Sequence, residues 1–205
     1  GFLMTPDHHD PDMCVDPRIR RTREAVLSTT LTLLAERGFA GISIDAISKS
    51  SGVARTTIYR HWPSLGDIVH EASTTVSRPA SIRHTDDPWD DICHLVHQLA
   101  ESLRSSEWGR VMPSLVDAAN RDDTIYNLQT LRSSQRRAVL ESLVVRAQDA
   151  GQIASDVDPG FVAELLSGPL FARQYISHLP LDDQFVDRLL DYVRHHPANE
   201  HPARP

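Results

Sequence analysis

The sequence predicts an all-α protein of about nine helices, and three observations lead to that prediction. Apolar residues recur at intervals of three and four along most of the chain, which is the period of one helical face. No segment alternates apolar and polar residues between hairpin turns, as a half-buried strand would. The 205 residues are 40% apolar and 24% charged, which is ordinary for a globular protein with a core of its own.

The first two helices have clear ends. Apolar periodicity begins at Arg18 and continues to Gly38, where a glycine supplies the positive φ that commonly ends a helix. Ser43 is placed to cap a second, short helix, since its hydroxyl oxygen can accept a hydrogen bond from the first turn. That helix is predicted to end near Ser51.

Two further helices follow at once. A third short helix is predicted over 54–61 and ends at Trp62, because the residue before a proline avoids the helical region. The Trp62 side chain is expected in the core, against the fourth helix. Ser64 and Asp67 have the spacing of a capping box, so the fourth helix is predicted to run from there to about Val76.

The rest of the chain is predicted to hold five helices after a polar joint at 77–87. Aspartate followed by proline is a typical helix start, and this pair occurs at Asp87 and again at Asp158. The five helices are predicted over about 88–103, 108–119, 123–150, 159–177 and 182–195.

Charge is divided unevenly along the chain. Residues 1–17 carry a net charge of −4, residues 18–70 carry +4, and the remainder carries −7, for a total of −7. A basic region joined to an acidic one indicates that the two regions have different functions and that the basic region binds nucleic acid. A chance scatter of charges is the alternative.

Residues 43–61 have the features of a helix-turn-helix. Such a unit needs a small residue where the two helices touch, a glycine at the turn and a β-branched apolar anchor in the second helix. Ser48, Gly52 and Ile58 stand at these positions. The second helix then exposes side chains that can bond phosphates and base edges in a major groove, although they also fit a solvated surface. These side chains are Arg55, Thr56, Thr57, Tyr59, Arg60 and His61.

A longer pattern surrounds this unit. It consists of Arg23-Glu24-Ala25-Val26-Leu27, Leu34-Ala35-Glu36-Arg37-Gly38-Phe39, Ser43-Ile44-Asp45-Ala46-Ile47 and Gly52-Val53-Ala54-Arg55-Thr56-Thr57-Ile58-Tyr59-Arg60-His61-Trp62-Pro63-Ser64. In order, spacing and residue type, the chain over about residues 18–72 resembles the N-terminal domain of the TetR family of transcriptional regulators. The remainder resembles that family in the number and length of its helices, and 168–171 is similar to a late helix of many members.

The resemblance implies roles for single residues. Ser43 and Lys49 would hold DNA phosphates, Arg55, Thr56 and Thr57 would face base edges, and Tyr59 and His61 would bond phosphates on either side of the groove. The chain departs from the family pattern at Ser48 and Ser51, where most members carry alanine. It also departs at Leu65, where most carry lysine, and this removes one plausible phosphate contact.

The resemblance also implies a homodimer. Two such modules read a two-fold DNA site when they are roughly 34 Å apart, which requires two chains. The family pairs its last two long helices, here about 159–177 and 183–195, with those of a second chain in a four-helix bundle. The expected interface residues are Phe161, Leu165, Leu166, Phe185, Leu189 and Val193, although burial within one chain is the alternative for each.

The middle helices would form a pocket for a small, largely apolar effector. Large apolar side chains with a few hydrogen-bonding groups suit such a ligand, but each also fits an ordinary core. The expected lining residues are Trp89, Leu95, Leu99, Trp108, Met112, Leu115, Tyr126, Phe171 and Tyr175. The candidate polar anchors are His94, Gln98 and Gln174.

Two other functions compete with this interpretation. A metalloenzyme is suggested by the eleven histidines, of which His94 and His97 share a helix face, but no third ligand has supporting spacing. The sequence contains neither a glycine-rich phosphate loop nor a Gly-x-Ser-x-Gly nucleophile motif, so no catalysis, cofactor or metal is expected. A helical ligand-binding protein with a weak or lost DNA role is the second alternative.

The sequence therefore predicts a ligand-responsive, dimeric DNA-binding regulator, most simply a repressor. Its expected parts are a disordered arm (1–17), a helix-turn-helix DNA-binding domain (18–76), an effector-binding and dimerisation domain (77–196) and a disordered tail (197–205). No run of 18 apolar residues and no secretory pattern is found, so no membrane partner and a cytoplasmic location are expected.

Overall fold

The computed structural model describes residues 16–77 and 81–195, and within these ranges the chain forms nine α-helices and no strand. The all-α prediction is thereby confirmed. The helices are α1 Pro17–Arg37, α2 Ile44–Ser51, α3 Arg55–His61, α4 Leu65–Val76, α5 Pro88–Ser105, α6 Glu107–Ala119, α7 Asp123–Asp149, α8 Pro159–Ala172 and α9 Asp183–His195. A 3₁₀ turn (Phe39–Gly41) follows α1, and a π-helical turn (Arg173–Ser177) continues α8.

Helix α1 begins one residue earlier than the sequence analysis placed it. The Asp16 carboxylate accepts a hydrogen bond from the backbone N–H of Arg18 at 2.9 Å, and Pro17 occupies the first helical turn. Asp16 and Pro17 therefore belong to the helix and its cap rather than to an arm. The rest of the predicted arm and the whole predicted tail lie outside the described residues.

A first buried cluster, the head core, holds the four N-terminal helices together. It is not built from them alone, because α6 contributes Val111, Leu115 and Ala118, and α7 contributes Ile125. The Ser114 hydroxyl of α6 also donates to the Leu34 carbonyl near the end of α1, at 2.8 Å. The head is thus packed on the body through shared apolar side chains. The members from the head itself are Val26, Leu27, Leu31, Leu33, Leu34, Ile42, Ile47, Ile58, Trp62, Ile68, Val69 and Ala72.

A second buried cluster, the body core, joins α5 to α9. Its members include Trp89, Ile92, Val96, Ala100, Leu103, Trp108, Leu140, Leu143, Val144, Ala147, Val162, Ala163, Leu166, Leu170, Val186 and Leu190. Burial of such side chains is worth about 1.5–3 kcal/mol each before the entropy of ordering is counted. The two cores are the main apolar supports of the fold.

Helix α7 connects the two cores. Its Ile125 lies in the head core, and Leu140, Leu143 and Val144 lie in the body core. Between these ends, no side chain of residues 126–139 is buried. Four turns of this helix therefore lie between the two cores without a fully buried residue.

No helix in the described part of the chain has both the length and the apolar character needed to cross a lipid bilayer.

Candidate nucleic-acid interface and effector region

Helices α2 and α3 form the helix-turn-helix. The Ser43 side chain accepts a hydrogen bond from the Ala46 N–H at 3.1 Å and so caps α2. Gly52 ends α2 with a φ of +73°, in the left-handed region that favours glycine. Ile58 is fully buried in the head core and fixes α3 beneath the turn. These three local signals in the sequence predicted the unit correctly.

Two serines stabilise the turn between these helices. The Ser48 hydroxyl donates to the Val53 carbonyl at 2.7 Å, and the Ser51 oxygen accepts from the Val53 N–H at 3.3 Å. Alanine, which the resemblance leads one to expect at both positions, can form neither bond. The two departures from the family pattern therefore add hydrogen bonds to the turn while keeping the side chains small.

The expected DNA-contacting side chains lie on α2, α3 and the residue that caps α2. Thr57 and His61 are half-buried at the edge of the head, whereas the other six are exposed. Tyr59 is 55% exposed although it is a large aromatic residue. The exposed members are Ser43, Lys49, Arg55, Thr56, Tyr59 and Arg60.

Arg55 has a partner that the sequence analysis did not identify. Its Nη1 donates to the Asp45 carboxylate of α2 at 2.8 Å. This hydrogen bond, together with the charge of Asp45, raises the pKa of the Arg55 guanidinium. Because both side chains are largely exposed, the pair contributes little to stability. Its effect is to orient the first side chain of α3.

A network around Glu71 holds the C-terminal end of α3. Trp62 directly follows α3 and donates its indole N–H to the Glu71 carboxylate of α4 at 2.7 Å. The other oxygen of Glu71 accepts a hydrogen bond from Arg23 of α1. The Arg23 guanidinium lies 4.8 Å from the centroid of the Trp62 ring and 3.5 Å from His61 Nδ1. Three helices thus converge where α3 ends.

Trp62 and Leu65, at the junction of α3 and α4, both pack in the head core. Trp62 is only 2% exposed, so its assignment to the core is confirmed. Leu65, at the position where most family members carry lysine, is half-buried and packs against the head core. Its side chain serves packing at the start of α4.

Part of the expected effector region is brought together at the junction of α6 and α8. The rings of Trp108 and Phe171 meet edge to face with centroids 6.5 Å apart, and Phe171 lies 6.2 Å from Tyr175. The Tyr175 hydroxyl donates to the Gly109 carbonyl at 2.7 Å, and burial raises the pKa of this tyrosine to about 12. Met112, Leu95 and Leu99 are partly buried against the same body core.

Other expected lining residues lie elsewhere. Leu115 is buried in the head core, because α6 turns that face toward α1. Tyr126 is 55% exposed on α7. Trp89 lies in the first turn of α5, whereas Trp108 follows the C-terminal end of that helix. The Arg194 guanidinium lies over the Trp89 ring, 5.3 Å from its centroid. The sequence analysis therefore combined residues from two cores and a surface.

The candidate histidines are engaged separately. His94 contacts the Gln98 amide, which also bonds the Ser81 backbone. His97 lies 2.8 Å from Asp187 and 3.6 Å from Asp183, both on α9. In the described part of the chain, no group of three or more histidine, cysteine or acidic residues is arranged to hold a metal ion.

Helix α7 carries three polar residues that the sequence analysis missed, and one of them contacts this region. Gln129, Arg132 and Arg136 occupy positions i, i+3 and i+7, the spacing of one helical face. The expected pocket wall was mainly apolar, so these polar side chains were not among its candidates. Arg136 lies over the Trp108 ring, 5.1 Å from its centroid.

The residues expected at the dimer interface differ in their exposure. Phe161 and Leu165 are 52% and 40% exposed, whereas Leu166 is completely buried in the body core. Leu166 is therefore a core residue of the protomer, since it is one position, about 100°, around the helix from Leu165. Ile176, which was not in the expected set, is 78% exposed on the π-helical turn. The side chains of α9 in that set, Phe185, Leu189 and Val193, are half-buried.

Two family models match the chain. The model of the bacterial regulatory proteins of the tetR family matches residues 26–72, which contain the helix-turn-helix. The model of the tetracyclin repressor-like C-terminal domain matches residues 82–193, more than half of the chain.

Individual proteins are also similar along most of their length. The HTH-type transcriptional regulator YdeS of Bacillus subtilis is 28% identical over 177 residues, which cover 85% of this chain and 88% of that protein. The crystal structure of the TetR family regulator SCO0332 is 28% identical, covers 84% of this chain and 96% of its own, and has a TM-score of 0.58.

A second solved structure, of AibR in complex with isovaleryl coenzyme A and operator DNA, is 17% identical with a TM-score of 0.67. It covers 84% of this chain and 98% of its own. At this identity it supports the fold. The matching models and relatives are transcriptional regulators rather than enzymes. The chain belongs to the TetR family of transcriptional regulators.

Proposed function

We propose that the protein is a homodimeric repressor, which binds a two-fold symmetric operator through α3 and releases it when a small effector binds the body. The observation that carries this proposal is the exposed set of donors on α3, whose end is fixed by the Glu71 network. A repressor must reach the operator DNA, and in bacteria this DNA lies in the cytoplasm. The cytoplasm is therefore the proposed location.

The proposed DNA surface combines contacts of two kinds. Lys49, Tyr59 and His61 are assigned to phosphates, which supply affinity without sequence preference. The Arg55 guanidinium and the Thr56 hydroxyl are assigned to base edges, where donor patterns differ between base pairs. The ion pair of Arg55 with Asp45 supports this assignment, because it holds the guanidinium in one orientation before DNA arrives.

Release by an effector requires only modest coupling between body and head. A 100-fold loss of operator affinity corresponds to about 2.7 kcal/mol, which lies within the usual range for two-site coupling. The effector must bind better to a conformation that does not fit the operator. The shared head core, to which α6 and α7 contribute, provides the mechanical connection.

The first experiment is fluorescence anisotropy with DNA from upstream of the protein's own gene, at two salt concentrations. Saturable binding with a preference of about 10³ or more over random duplex would establish a specific regulator. Weak binding that is equal for all sequences and disappears with salt would contradict the proposal and favour a ligand-binding protein without an operator.

Substitutions in α3 should separate the two kinds of contact. Tyr59→Phe removes a hydroxyl assigned to a phosphate, so affinity is expected to fall by a similar factor for every DNA sequence. Arg55→Ala and Thr56→Ala should instead relax sequence preference, with a cost of about 1–3 kcal/mol on the preferred site. Affinities measured on the operator and on its point variants test this, and a change of preference in Tyr59→Phe would reverse the assigned roles.

A charge on the exposed face of α8 should abolish the dimer. Leu165 is 40% exposed and lies one turn from Phe161, so Leu165→Glu would place a carboxylate in the proposed apolar interface. Sedimentation analysis is expected to show a monomer whose circular dichroism is unchanged. A matched control is Val116→Glu, since Val116 is 51% exposed on α6. A Leu165→Glu dimer as stable as the original would exclude this surface.

A further inference from the structure

The stretch of α7 between the two cores carries hydrogen-bond donors on one face, which is half-buried at Gln129 and Arg132 and exposed at Arg136. Gln129, Arg132 and Arg136 lie on one face of this helix, within the four turns in which no residue is fully buried. An amide N–H and two guanidinium groups can all donate hydrogen bonds, and a guanidinium cannot accept one. The face is therefore rich in donors.

The side-chain nitrogen of Gln129 has no partner among the described residues. This Nε2 atom is buried and forms no hydrogen bond within the described structure. A buried donor without an acceptor costs free energy, and native structures keep few of them. An oxygen atom of a ligand or of a water molecule can fill this bond.

The two arginines have no acidic partner either. Arg132 donates to the neutral hydroxyls of Ser73 and Ser77 on α4, at 3.1 and 3.2 Å. Arg136 lies against the ring of Trp108. Among the described residues, no carboxylate forms an ion pair with either guanidinium, so neither charge is compensated by an acid.

The next residue along α7 shows the usual arrangement. Arg137 lies 3.2 Å from Glu141 and 3.4 Å from Glu164, so its charge is compensated. By contrast, burial lowers the pKa of both Arg132 and Arg136, and the charge of Arg132 lowers that of Arg136 further. Arg136 nevertheless retains contact with solvent, so a ligand from solution can reach it.

From this arrangement we infer that the effector is an amphiphilic anion. Its carboxylate or phosphate is bound by Arg132, Arg136 and the Gln129 amide, and its apolar part packs on Trp108 and Phe171. Oxyanions match these donors, because guanidinium groups bind carboxylate and phosphate oxygens in a fixed fork. The inference rests on the proposed effector-released function and adds the chemical class of the effector.

The test is titration calorimetry of the full-length protein without DNA, using three probes with the same eight-carbon chain. Octanoate, octyl phosphate and 1-octanol share the apolar part and differ in the head group. At least one anion is expected to bind 10-fold or more tightly than 1-octanol. The stronger of the two anions identifies the head group as carboxylate or phosphate.

Variants on one helix locate the binding site. Arg132→Gln and Arg136→Gln are each expected to weaken anion binding about 10-fold and to leave 1-octanol binding unchanged. Arg137→Gln removes the same charge one position away and should behave as the original protein. The inference would be overturned if all three probes bound equally or if neither anion bound. It would also be overturned if Arg132→Gln and Arg136→Gln both kept the original preference for an anion over 1-octanol.

A parallel DNA titration separates this inference from the proposed function. A protein that binds an operator but neither anion would refute the anion site alone. A protein that binds an anion through Arg132 and Arg136 but shows no preferred DNA would refute the operator function and leave the anion site intact.

Discussion

Replacing Gly109 by alanine is expected to destabilise the protein by about 3 kcal/mol, because the added methyl group overpacks the junction of α5 and α6. A Cβ at this position would lie 2.4 Å from the Leu103 carbonyl oxygen and 2.6 Å from that of Ser102. Both atoms belong to the backbone at the end of α5, so relief requires that α5 and α6 move apart. The Tyr175 hydroxyl, which bonds the Gly109 carbonyl, would be displaced with them.

Thermal unfolding at fixed protein concentration measures this effect. For a chain of this size, a loss of about 3 kcal/mol lowers the Tm by roughly 6–12 °C. The control is Ser133→Ala, since Ser133 is exposed on α7 and alanine favours a helix more than serine does. If the Gly109→Ala protein had the same Tm as the original protein, the α5–α6 junction would not be closely packed.

The second large effect is expected for Glu71→Ala. The substitution leaves the buried indole N–H of Trp62 without its acceptor and removes the partner of Arg23. We expect a loss of about 2 kcal/mol, most of it from the indole, because the Arg23–Glu71 pair is one-third exposed and therefore screened by solvent. The end of α3 would then lose its fixed orientation.

DNA binding should reveal that loss more clearly than stability does. Removal of a negative charge by itself strengthens non-specific binding to DNA. A misoriented α3 should nevertheless weaken operator binding about 10-fold, so the ratio of specific to non-specific affinity falls. Glu24→Ala is the control, because Glu24 is exposed on α1 and its substitution removes the same charge. An unchanged affinity ratio in Glu71→Ala would show that the network does not orient α3.

Helix limits were well predicted because their causes are local. The Ser64–Asp67 capping box and the aspartate-proline starts at Asp87 and Asp158 appear in the structure as the sequence indicated. Asp16 is followed by proline in the same way and caps α1 by the same contact. The sequence analysis assigned Asp16 to a disordered arm because the residues before it are acidic and rich in proline. The same aspartate-proline pair was interpreted as a helix start at Asp87 and Asp158.

Contacts between distant residues could not be predicted in this way. Periodicity tells which side of a helix is apolar, but not which neighbour covers it, so Leu115 and Leu166 were assigned to a pocket and an interface although both lie in cores. The Glu71 network joins residues 48 positions apart, and only the fold brings them together. The two arginines on α7 were present in the sequence, but their lack of an acidic partner among the described residues is a property of the folded chain.

The contribution of α6 and α7 to the head core limits how such proteins can be recombined. The composition changes at 77–87, and a chimera joined there would combine a head from one protein with a body from another. The foreign body would then supply its own side chains where Val111, Leu115, Ala118 and Ile125 complete the head core here. Evolution and engineering can therefore exchange DNA specificity more readily by changing the surface of α3 than by transplanting the whole head.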